Sequence, residues 1–314
     1  MYEAKIILDS INPSKQRCIT AAITYPRIVH AEVMTHRDRE RNAGSSRAIP
    51  YTTMKRMVTE DPFIPLVWGK EQTGMQTGGP VHPAHAELAE RLWSAHRNLS
   101  LEIGDMIHNI GSTYANLLAG HAPTCDFLRR LGISVTPVAG IDQTERVHKA
   151  LPNRLVEAHQ FITVVMTATD WKNFFALRCH PQAEIHFQKI AYMLETAIKT
   201  SEPRALKLGE WHLPFVTDDD DTICAIERHS ASNYTKLAKQ ISVARCARVS
   251  YLTHEGKRDI LKDIELYARL RNPEGPPHAS PMGHVAMAAG PKTRSGPFRG
   301  FVQHREEIPG ECAD

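Results

Sequence analysis

The sequence predicts a mixed α/β fold of the α+β type, with strands near the N-terminus and helices following. Three observations predict it. Residues 3–9 and 17–25 read as short strands, residues 83–121 repeat apolar side chains at helical spacing, and residues 183–200 repeat them on one helical face. A chain of 314 residues with 42% hydrophobic content can bury a substantial core. It reads as one domain, 1–314, with 61–144 set apart as a helical insertion.

In chain order, the strand at 17–25 carries Cys18, Thr20, Ala22 and Thr24 on one face, and Pro26 ends it. Residues 27–40 read as a helix with Ile28, Ala31 and Met34 inward, so that His36 and Arg37 emerge at its C-terminal end. Pro50, Pro62 and Pro65 punctuate a loop-rich connection. The apolar set Leu88, Leu92, Ala95, Leu99, Ile103, Met106, Ile110, Leu117 and Leu118 makes a helix or helical hairpin, with breaks expected at Gly104 and Gly111. Residues 152–176 read as another apolar helix or pair, interrupted near 167–170. The helix at 183–200 turns Ile185, Ile190, Met193, Leu194 and Ile198 inward. The four aspartates at 218–221 are a solvated loop, because adjacent like charges repel and no EF-hand spacing follows. Residues 258–271 read as a charged helix, and 272–298 are rich in proline and glycine.

Composition narrows the function. The formal net charge is only +3, so the positive charge is local, which suits a small anionic ligand better than a nucleic-acid polymer. No window approaches the length of an apolar membrane span, and a soluble, cytoplasmic protein is expected. The six cysteines, Cys18, Cys125, Cys179, Cys224, Cys246 and Cys312, form no Cys-x-x-Cys pair and are expected to be reduced. The 17 histidines include no His-Glu-x-x-His, and no metal is expected. Neither a Gly-x-Gly-x-x-Gly nor a P-loop is present, so any nucleotide is held by other means.

Three segments carry the chemistry. The first is His36-Arg37-Asp38-Arg39-Glu40-Arg41-Asn42-Ala43-Gly44-Ser45-Ser46-Arg47-Ala48-Ile49-Pro50, where guanidiniums and hydroxyls suit the recognition of phosphate. The second is Asn173-Phe174-Phe175-Ala176-Leu177-Arg178-Cys179-His180, and the third is Ala244-Arg245-Cys246-Ala247-Arg248-Val249-Ser250-Tyr251. Together they resemble the flavin-dependent thymidylate synthases. In that family an Arg-His-Arg signature with a downstream Asn, Ser and Arg builds the flavin and deoxyuridylate site. Here His36, Arg37, Asn42, Ser45 and Arg47 stand at the matching spacing, while Thr35, Ala43 and Ala48 replace the usual arginine, glutamate and tyrosine. Residues 174–178 match the family's Phe-x-x-Leu-Arg element. The order of segments differs, since the Arg-x-Ala-Arg-Val-Ser stretch at 245–250 and the Pro-x-x-His at 281–284 stand near the C-terminus. The resemblance therefore implies a circular permutation carried by 240–305, which is physically open to a chain whose termini lie close together. The run Gly209-Glu210-Trp211-His212-Leu213-Pro214 looks most like the bacteriophage branch.

The resemblance implies a mixed, mostly antiparallel sheet with a helical bundle, assembled as a homotetramer that binds FAD. It implies conversion of dUMP to dTMP with 5,10-methylenetetrahydrofolate and NADPH as co-substrates. Making carbon 5 of the pyrimidine nucleophilic requires fixed positive donors at the uracil oxygens, the role expected of Arg178. The competing reading of Arg178 is a surface ion pair with Glu184. Ser45 stands at the family's serine near the reacting pyrimidine and is expected to position it. Arg47 and Arg154 are the expected phosphate ligands, with Ser46 beside them, and Glu32 matches a substrate-contacting position. His36, Arg37, Asn42, Asn173, Ser250 and His284 are expected at the flavin or folate, with a satisfied core histidine as the other reading of His36. Cys179-His180 is a poor nucleophile and base, because helical neighbours point about 100° apart. A 5-hydroxymethylase, or a methylase of dCMP in phage DNA modification, is the alternative activity. A non-catalytic nucleotide-binding protein is the alternative of another class.

Overall fold

Strands β1 (Glu3–Ile11) and β2 (Arg17–Pro26) form the antiparallel hairpin on which the main sheet is built. The tight connection forms because Asn12 accepts from the Gln16 amide through its side chain at 2.9 Å, while Lys15 takes a positive φ of 63°. In this computed structural model, which describes the chain except residues 137, 139, 217–233, 254–258, 273 and 309–314, two units are distinguished. The first comprises Met1–Ser45, Glu71–Gly78 and Phe161–Asp314; the second comprises Ser46–Lys70 and Gly79–Gln160.

In the first unit β3 (Glu40–Ala43) and β4 (Phe161–Ala168) extend the hairpin, and β5 (Arg204–Ala205) adds to its far edge. The order is β3-β4-β2-β1-β5, antiparallel except where β5 joins β1. Alternation along β2 sends Ile19, Ala21, Ile23 and Tyr25 to one face, where Ile162, Val164, Met166 and Ala168 of β4 join them. Helix Ile185–Thr200 covers that face with Phe187, Ile190, Ala191, Leu194 and Ile198, and Glu184 caps its start by accepting from the amides of His186 and Phe187.

The opposite face is covered by the C-terminal third of the chain. Ala22 and Val165 pack with Phe215, Cys246 and Val249, while Cys18 packs with Leu206, Ala286, Phe298 and Phe301. These residues lie on or beside helix Tyr234–Ala247, the strands β6 (Trp211–His212) and β7 (Ala286–Ala288), the hairpin β8 (Arg294–Ser295) and β9 (Phe298–Arg299), and β10 (Phe301–Gln303). Strand β7 lies between β10 and β6 in a second sheet.

Several elements depart from expectation. Residues 152–176 are only partly helical. A short turn, Pro152–Leu155, precedes β4, a central strand, and helix Lys172–Arg178 follows it. The strand is buried on both faces from Val164 on, and its apolar residues are interrupted only by Thr163 and Thr167, so it lacks the polar alternation of a half-exposed strand. The helix expected at 27–40 is confined to Arg27–Val29 and His30–Val33, and the chain from Glu40 joins the sheet as β3. Its buried residues are Val29 and Val33, whereas Ile28 and Met34 are exposed.

The second unit is mainly helical, with helices Tyr51–Glu60, Pro83–His108, Ile110–Leu118 and Ala122–Arg130. It holds the stretch 61–144 apart from 71–78. The long helix does not break at Gly104, which is buried against Tyr51; it ends at Asn109. Gly111 serves close approach, since a Cβ there would lie 2.5 Å from the Gln143 carbonyl oxygen. The aspartates at 218–221, Cys224 and Cys312 lie outside the described residues.

Candidate functional site

The short helix Lys172–Arg178 begins just after β4, so the end of a central strand fixes where Arg178 stands. Phe174 anchors the helix in the core, and Arg39 locks it from outside, with its guanidinium 4.7 Å from the Trp171 ring centre and 4.5 Å from that of Phe174. Arg39 is only 3% exposed, and its charge is met by Asp38 through Nε at 2.9 Å and Nη2 at 2.7 Å.

Arg178 comes off the last turn over Phe187, its guanidinium 4.5 Å from the ring centre. Its Nε donates to His36 Nε2 at 2.9 Å, and its Nη1 lies 3.6 Å from Glu32 Oε2. Arginine can only donate, so His36 must present a bare Nε2 and is held neutral with its proton on Nδ1. The electrostatics agree. Burial, and then the charges of Arg39 and Arg178, lower the His36 pKa to about 4. The rings of Phe174 and Phe187 meet its imidazole edge to face at 4.9 and 5.9 Å. Glu32 is pushed the other way, its carboxyl raised first by burial and then by Glu184, with Arg178 opposing.

The other expected residues fall into two groups. Asn42 is buried in β3 and accepts from Ser280 Oγ at 2.6 Å. His284 is fully buried and shares a 2.7 Å hydrogen bond with Thr167, which continues through Thr20 and His212 to Ser10. Burial lowers the pKa of His212 and of His284 to about 3. The Ser45 amide donates to the Ser250 carbonyl at 3.1 Å, so the first and third motif segments meet directly. Arg37 and Asn173 are exposed.

Ser46, Arg47 and Arg154 belong to the second unit. Ser46 donates its hydroxyl to Glu157 at 2.6 Å. Buried Asn153 donates to the carbonyls of Ser46 and Ile49, at 2.9 and 3.0 Å, and so ties the segments that carry Arg47 and Arg154, both exposed. Arg178 pairs with Glu32 rather than Glu184, whose carboxylate caps a helix. Cys179 has its thiol raised to about 11, first by burial and then by Glu195, which keeps it protonated at neutral pH. Sequence reading left Arg39 without a role. Its signal was a tryptophan two residues before Asn173, too far along the chain to be paired with it in advance.

Among the described residues no group of three or more His, Cys, Asp or Glu could hold a metal ion, and no helix is long and apolar enough to cross a membrane.

No protein-family model matches the chain, and no curated protein matches its sequence. Among solved structures it is similar to a UMP/dUMP methylase, PolB from Streptomyces cacaoi, bound with 5-Br dUMP. The identity is 14%, and the match covers 58% of this chain and 65% of that one at a TM-score of 0.34.

Proposed function

We propose that this chain is a flavin-dependent enzyme that methylates carbon 5 of a pyrimidine deoxynucleotide, converting dUMP to dTMP with methylenetetrahydrofolate and NADPH as a homotetramer. One observation carries the reading: Arg178, expected at the substrate, donates to His36, expected at the cofactor, at 2.9 Å and faces Glu32, expected at the substrate, at 3.6 Å, so the second motif segment meets the first. The Ser45–Ser250 backbone hydrogen bond brings the third segment to the same stretch of chain.

The chemistry asked of the protein is electrostatic. Arg178, set on a short rigid helix and backed by an aromatic ring, is preorganised to stabilise negative charge as it develops on the uracil oxygens. His36 Nε2 accepts the hydrogen bond from Arg178 Nε, which orients the remaining guanidinium donors. Ser45 positions the pyrimidine.

Of the residues expected at the flavin, Arg37, Asn173 and half-buried Ser250 have surface to offer, and they would hold it. His36, Asn42 and His284 are already bonded within the protein, to Arg178, Ser280 and Thr167, and act by fixing those neighbours. Bound flavin would supply the hydride that completes the methyl group.

The test is turnover of the purified, flavin-reconstituted chain with dUMP, dCMP and methylenetetrahydrofolate under anaerobic reduction. Mass analysis of the nucleotide distinguishes methyl from hydroxymethyl and uracil from cytosine. The expected product is dTMP; unchanged nucleotides in the presence of bound, reduced flavin overturn the reading.

A further inference from the structure

A cleft of about 380 Å³ in the first unit is lined by three arginines, Arg37, Arg294 and Arg299. Two of them, Arg294 and Arg299, are direct cross-strand partners on the β8–β9 hairpin. Cross-strand partners lie on the same face, so two like charges stand side by side, an arrangement that destabilises a hairpin unless something of opposite charge lies between them. Among the described residues none of the three guanidiniums has a hydrogen-bonding or acidic partner. The acid at the cleft, Asp38, is already engaged by buried Arg39 through two hydrogen bonds.

The hairpin is also built to stay where it is. Phe298 is fully buried, and Ser295 Oγ accepts from the Gln303 amide at 2.8 Å. The Arg299 amide donates to Thr169 Oγ1 at 2.9 Å. Gly296 turns with a φ of +51°, and a Cβ there would lie 2.9 Å from Gln303 Oε1, so the turn has no room to relax. Repelling charges on an anchored scaffold describe a preformed receptor for an anion.

We infer that this cleft is a phosphate-binding site, taking the phosphate or diphosphate of a small nucleotide-type ligand on Arg37, Arg294 and Arg299. Guanidinium matches the geometry of phosphate oxygens with paired donors, and the volume suits a small molecule. The cleft belongs to the first unit and shares Arg37 with the flavin contacts proposed above, while its binding test needs neither flavin nor turnover.

Calorimetric titration of the full chain with inorganic pyrophosphate tests it, with no flavin or turnover needed. Wild type is expected to bind one equivalent saturably. R294Q/R299Q is expected to bind about tenfold or more weakly, with a melting temperature no lower than wild type because a like-charge pair has been relieved. R91Q/R129Q removes the same net charge from another surface and is expected to bind as wild type. Equal weakening in both double variants, or no weakening in the first, would overturn the site. Parallel titrations name the source: a loss confined to FAD assigns its diphosphate, and a loss for dUMP assigns a phosphate monoester.

Discussion

His36 can accept the hydrogen bond from Arg178 only while its Nε2 is bare, and its burial between Phe174 and Phe187, beside Arg39, keeps it so down to about pH 4. Replacing Arg178 by alanine should lower turnover by about two to three orders of magnitude, as loss of a preorganised charge stabiliser does. The melting temperature should move by no more than a few degrees, because the side chain is partly exposed. Wild-type turnover in that variant would remove Arg178 from the chemistry. The same burial sets the acid stability. His36 titrates at about 4, and His212 and His284 at about 3, all below the usual 6.5. On acidification the unfolded chain therefore takes up protons first. The stability these three imidazoles contribute is full above pH 6.5 and falls as the pH drops towards 4, the three together gaining about three protons on unfolding near pH 5. Urea unfolding at stepped pH measures this slope; constant stability across that window would show that the three imidazoles are not held neutral. The sequence made these side chains visible as candidates, but not their burial, which depends on strands and helices far along the chain.

Helices Tyr234–Ala247 and Ile260–Arg271 are joined by a buried charge cluster. Asp263, 1% exposed, accepts from Arg245 Nε at 3.0 Å and from Arg248 Nε at 2.7 Å, while Arg245 also donates to the Phe215 carbonyl. Two motif arginines thus act within the framework and hold the segment that carries Ser250. Asp263→Ala would take from buried Arg245 the carboxylate that accepts from its Nε and should cost about 3–5 kcal/mol, read as a lowered denaturation midpoint. A loss under 1 kcal/mol would mean that the cluster contributes little net stability. At this scale the surface elements were legible. Residues 185–200 and 260–271 are amphipathic, so one-sided burial wrote its period into them, whereas 17–26, covered on both faces, was legible because Cys18, Thr20, Ala22 and Thr24 alternate with the mostly larger Ile19, Ala21, Ile23 and Tyr25. Strand β4 was not legible, because a strand covered on both faces has no polar side to reveal its period. The run after Pro26 was misread for a different reason: the pairing of β3 with β4 takes over where helical spacing had been assumed.

Taken as a whole, the first unit encloses its main sheet between helices on one face and C-terminal segments on the other, and those segments complete the core around Cys18, Ala22 and Val165. Deleting residues 240–314 should therefore yield insoluble protein or one without a cooperative unfolding transition. A soluble, cooperatively folding truncation would make those residues an appendage and contradict their place in the core. The mixed α/β class was readable from the order of strand-like and helix-like segments; the two-sided covering was not, since it joins residues nearly 300 positions apart. The central claim is that three separated motif segments assemble one flavin-dependent methylating site. The most direct measurement is the visible absorbance of the purified chain after incubation with FAD, followed through anaerobic addition of NADPH and then of dUMP with methylenetetrahydrofolate. Flavin bands should bleach with NADPH and return as dTMP forms. A chain that retains no flavin under these conditions, yet is folded, would contradict that claim.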